Sequence, residues 1–241
     1  MRRSHVALLG ALAFLALCVL TVGIWLGRAA PELLPLSGER VTRVLDVADF
    51  DRVRVRGQWQ VELTRGDAWL AELSYPVELE EGMSVDVVNR ELDLRYSPER
   101  GWWSDFGRDP GLRVTARIVM PELRGIGSSG ASLVSFAGFT GRALEVSSSG
   151  ASRIEGRDSR YDALEIAMSG AGAADLAGVT AEDAHVEVSG ALTVTLTMAG
   201  GELSGDASGA SAIEYHGTVS VQRIDTSGVA RVRQLDAGRQ P

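Results

Sequence analysis

The chain has 241 residues, with 28 Gly, only 7 Pro and a formal net charge of −8. All 24 cations are Arg, and the absence of Lys excludes Schiff-base chemistry and a P-loop phosphate lysine. From residue 31 onward 21 Arg stand against 32 acidic residues, a net of −11, which gives no electrostatic footprint for nucleic acid and disfavours anionic lipid surfaces. The one Cys, Cys18, lies in the N-terminal apolar run, so the remainder can form neither a disulfide nor a thiolate metal site.

Residues 6–27 are 22 uncharged residues, flanked by Arg2, Arg3 and Arg28. About 20 apolar residues span a bilayer as a helix, and the leading arginines favour an N-in, C-out orientation. Residues 1–28 therefore read as an uncleaved anchor. The rival reading is a signal sequence, with secretion after cleavage; Arg28 makes the Gly27-Arg28-Ala29-Ala30 site a poor one. Either way the remaining chain is exported. An inner-membrane anchor would place the head in the periplasm or outside the cell. Residues 29–44, with Pro31 and Pro35, read as a tether.

Residues 45–121 alternate apolar and charged side chains, as in Val53-Arg54-Val55-Arg56 and Val61-Glu62-Leu63. That period of two predicts strands with one buried face. The stretch 98–111 breaks the pattern. Its Trp102, Trp103 and Phe106, set among Arg and Asp, form a candidate contact surface for an envelope glycan or protein. The alternative is that these rings fold back over the domain.

A repeat follows. Ser-Gly pairs recur with glycines at Gly130, Gly150, Gly170, Gly190, Gly209 and Gly228, spaced by 20, 20, 20, 19 and 19. Such a period predicts a β-solenoid with coils of ~20 residues over 45–236, the glycines forming a structural turn ladder. Four residues past each glycine stand Val134, Ile154, Ala174, Val194, Ile213 and Val232, a column that stacking would bury. Residues 237–241 are left as a tail, and residues 45–121 are expected to stack as the first coils of the same solenoid.

Three stretches resemble the head GIN domain family (DUF2807), exported bacterial domains described as autotransporter adhesins. They are residues 50–57, the Val61-Glu62-Leu63-Thr64-Arg65-Gly66-Asp67 strand and turn, and Met120-Pro121-Glu122-Leu123 leading into the Ser-Gly-Ala repeats. The resemblance spans 45–235. It implies an all-β, right-handed, single-stranded parallel β-helix and carries over no catalytic residue. The turns depart from the family, reading Ser-Gly-Ala where many members have Gly-Ser-Gly.

Other sites read weakly. His185 and His216 fall at different phases of the repeat, which disfavours a metal site or a Ser-His dyad. Glu145 and Glu165 share a phase, and Glu187 does not. A pair of carboxylates facing one bond could serve a polysaccharide hydrolase, but outward solvated Glu is the plainer account. The reading is a non-enzymatic envelope binding module of adhesion type, needing no cofactor or metal and touching the membrane through its anchor. The alternatives are a self-associating scaffold or a signalling-associated domain, and beyond these a polysaccharide-active enzyme.

Overall fold

Alternating side chains commit a segment to a strand with two unlike faces, but do not say in which direction its neighbours run. The computed structural model describes residues 39–97 and 114–235. Its strands are β1 (Arg40–Leu45), β2 (Arg52–Gly57), β3 (Trp59–Arg65), β4 (Leu70–Pro76), β5 (Met83–Val88), β6 (Glu91–Tyr96), β7 (Val114–Met120) and β8 (Gly125–Gly130). There follow β9 (Leu133–Ala137), β10 (Thr140–Arg157), β11 (Ser159–Ala199), β12 (Glu202–Gly209), β13 (Ala212–Thr218), β14 (Val221–Thr226) and β15 (Arg231–Gln234). Helical structure among the described residues is one 3-10 turn, Val77–Gly82.

All fifteen strands belong to one sheet, curled as a half-barrel around a single apolar cluster. Two ladders can be followed through it. One runs β5–β6–β2–β8 and on through the first part of β10 to β11, β12 and β14. The other runs β1–β4–β7–β3–β9, then the second part of β10, β11, β13 and β15. The long strands join them: at ~3.3 Å per residue a straight 41-residue β11 would reach about 135 Å, so it must bend at its Ser-Gly corners.

Those corners need glycine for a stated reason. Gly150 has φ +106°, and a Cβ there would sit 2.5 Å from the Gly130 carbonyl oxygen, backbone that has nowhere to go. Register aligns the turns: Gly130 pairs with Gly150, Gly150 with Gly170, and Gly190 with Gly209. Gly57, which no Ser-Gly pair marks, stands beside Gly130 in the same row. Val134, Ile154, Ala174, Val194 and Ile213 are buried, while Val232, the last of that column, is half-buried.

The expected right-handed, single-stranded parallel β-helix preceded by a transmembrane helix is corrected. The sheet is mixed: β1 with β4, β4 with β7 and β5 with β6 are antiparallel, so residues 45–121 do not form the first coils of a solenoid. At β5–β6 the cause is a two-residue connection, Asn89-Arg90, both with left-handed φ (52° and 63°), as a tight hairpin requires and a parallel crossover could not accommodate. Arg90 is held there by Asp51, whose carboxylate it meets at 2.9 Å. Among the described residues no helix is long and apolar enough to cross a membrane. The expected anchor at 6–27 lies outside them, as do Trp102, Trp103 and Phe106.

Candidate functional site: a charged groove on the outer face

On the outer face of the first ladder, small residues leave a trough. Gly141 and Ala143 on β10 and Ala163 on β11 form part of the wall of a groove of about 1160 Å³. Its rims carry both signs of charge: Arg52, Arg124 and Arg142 against Glu122, Glu145, Glu165, Asp183 and Glu202, with His185 and Ser204 beside them.

The pairing pattern explains how these groups meet. Arg52 lies in register with Gly125, and Gly125 with Glu145, so Arg52 reaches its partner only by crossing a strand with no side chain in the way. Its guanidinium bonds Glu145 at 2.5 Å, and a Cβ on Gly125 would press on that side chain at 2.9 Å. Glu122 accepts from Arg124 at 2.9 Å, and this bond raises the Arg124 guanidinium above its ordinary value. Asp183 accepts the backbone N–H of Glu202 at 2.8 Å. Two exposed rim groups, Arg142 and Glu165, make no hydrogen bond or ion pair with the other described residues.

Glu145 and Glu165 are in register on adjacent strands, while Glu187 faces Asp206 one column away. His185 stands beside Ser204 (Nδ1 to Oγ 3.2 Å) and Glu187 (Nε2 to Oε1 3.3 Å), whereas His216 pairs with Thr197 on the other ladder. Among the described residues no group of three His, Cys, Asp or Glu could hold a metal ion. Beneath the groove the Tyr161 hydroxyl donates to the Leu123 carbonyl at 3.0 Å. Burial, with Glu122 adding, pushes that phenol well above its ordinary value, so it stays a neutral donor. The site thus offers exchangeable hydrogen bonds and charges of both signs on an open surface. Sequence reasoning did not find it, because Arg52 and Glu145 lie 93 residues apart.

A family model described as "putative auto-transporter adhesin, head GIN domain" (DUF2807) matches residues 49–191, more than half of the chain. The chain belongs to this family. The crystal structure of a "putative adhesin" from Bacteroides fragilis NCTC 9343 superposes with a TM-score of 0.60 at 14% identity, covering 83% of this chain and 99% of that one. A second "putative adhesin", from Parabacteroides distasonis ATCC 8503, gives 0.50 at 14%, covering 83% and 98%. At such identities the likeness is one of fold. Comparison with curated proteins gives no match. The family's description is that of an adhesin head domain.

Proposed function

We propose that this head GIN domain is an exported binding module of the cell envelope, held at the inner membrane by residues 6–27, and that it engages a hydroxyl-rich glycan through the groove. The observation that carries the reading is the composition of that groove: a small-residue trough with mixed charge at its rims. Its pairs Arg52–Glu145 and Arg124–Glu122 neutralise one another and keep the rims rigid, leaving Arg142 and Glu165 to bond an incoming ligand. Carboxylate and guanidinium groups together suit the donor and acceptor pattern of sugar hydroxyls. Trp102, Trp103 and Phe106, which lie outside the described residues, would supply a second, aromatic contact.

Retention of the full chain on envelope glycan tests the reading. Arg142→Ala with Glu165→Ala should weaken retention about a hundredfold or more, the scale of two lost charge-assisted bonds, with the circular-dichroism melt unmoved. Retention equal to wild type overturns the groove. Turnover of a polysaccharide panel that disappears in Glu165→Gln would replace binding with hydrolysis, the chemistry that in-register Glu145 and Glu165 could support.

A further inference from the structure

Four strands bound the sheet, and among the described residues each is paired on one side only: β1 and β5 at one end, β14 and β15 at the other. An open strand edge is a template for another strand. The β14–β15 end is where the core columns run out. Val186 and Ile213 are fully buried, whereas Ile224 and Val232, which close those columns, are half-buried, and Val229 is 74% exposed.

The outer faces of the four edge strands differ in charge. β5 offers only Asp86, β1 only Arg40, since Arg43 shares the opposite face with Val41 and Leu45, and β15 only Arg231 and Arg233, both turned to Glu214. β14 alone carries both signs, with exposed Arg223 and Asp225 on either side of Ile224. That spacing is self-complementary. Laid antiparallel against the same strand of another molecule about Ile224, each Arg223 stands opposite an Asp225, and each Gln222 opposite a Thr226. A two-fold interface needs this property: residue i meets j while j meets i. The Asp225 side chain has no hydrogen bond or ion pair with the other described residues, and Arg223, bonded to Glu202 at 2.8 Å, keeps most of its side chain in solvent.

We propose that two copies of this chain associate end to end through β14, antiparallel, with Arg223 of each paired to Asp225 of the other and Ile224 on the two-fold axis. The pairing continues the sheet across the interface, covers the exposed ends of the core columns and leaves the β1 end, where the chain enters the domain, free. It stands apart from glycan binding, since Asp225 does not line the groove.

Light scattering and sedimentation of the detergent-solubilised full chain test this, at concentrations up to about 500 µM because small contacts associate weakly. Wild type should show a concentration-dependent dimer. Arg223→Asp and Asp225→Arg should each weaken it about tenfold or more, and the double charge swap should restore it, a recovery that only pairing between molecules produces. The Asp225→Arg melt should match wild type. A wild-type monomer throughout the range overturns the proposal. So do single reversals that associate like wild type, which would place the contact elsewhere, such as the N-terminal apolar run. A dimer that forms only after deletion of residues 236–241 overturns it too, since the tail would then be what covers this end.

Discussion

The two ends of the sheet solve the same problem by different means. Residues 125–228 form strands that pair in parallel, each with a segment 19 or 20 residues further along the chain. Residues 40–96 instead include a tight hairpin and antiparallel strands, with the buried carboxylates of Asp51 and Asp93 held by arginines. In the first region specificity resides in backbone fit, because stacked corners admit no side chain. In the second it resides in particular long polar side chains. Each regime should therefore fail to its own kind of substitution.

The largest effect belongs to the stacked corners. Gly170 has φ +108°, and a Cβ there would collide with the Gly150 carbonyl oxygen. Gly170→Ala should cost about 3 kcal/mol or more, combining a left-handed conformation with a backbone clash. Chemical denaturation measures the loss, and hydrogen exchange should show it spreading to the strand segments paired on either side. A loss under about 0.5 kcal/mol, the scale of ordinary surface changes, would mean that the corner relaxes and that backbone fit is not what holds this region.

The hairpin region should break through Asp51. Its carboxylate is almost fully buried and meets Arg90 at 2.9 Å and Arg124 at 3.7 Å. Asp51→Ala should cost about 2 kcal/mol, the range for hydrogen bonds to charged groups; both arginines are more than half exposed and recover solvent. The loss of exchange protection should stay within β5 and β6. Spread into β11 would erase the distinction between the regions.

The same contrast decides what could be read beforehand. The column Val134, Ile154, Ala174, Val194 and Ile213 was legible because a fixed period repeats one physical requirement many times over. The antiparallel hairpin was not. Asn-Gly would have announced it, but Arg occupies the second left-handed position, tolerated because Asp51 anchors its side chain. Alternation in residues 83–96 marks two strands without their direction, and one of them, β5, turns out to bury no side chain fully. The groove was hidden for another reason: its key pair, Arg52 and Glu145, is joined only by register across Gly125, and no local pattern encodes register between distant strands. The aromatic surface at Trp102, Trp103 and Phe106 falls outside the described residues.

The smallest effect lies where groove and core meet. Tyr161→Phe removes the hydroxyl that satisfies the buried Leu123 carbonyl and should cost about 1 kcal/mol near neutral pH. Its pH dependence carries more information. Burial raises the phenol's folded-state value above that of an unfolded tyrosine, about 10, so the stability it contributes is fully present below that pH. Above it the unfolded chain releases the proton and the folded chain retains it. Wild-type stability should then fall by up to about 1.4 kcal/mol per pH unit from this group alone. The variant lacks that fall, so its deficit should shrink between about pH 8 and about pH 11 in urea titrations, as the wild type loses its advantage. A constant deficit across that range would mean that Tyr161 reaches water, and that the floor of the groove is more open than its packing against Gly141 implies.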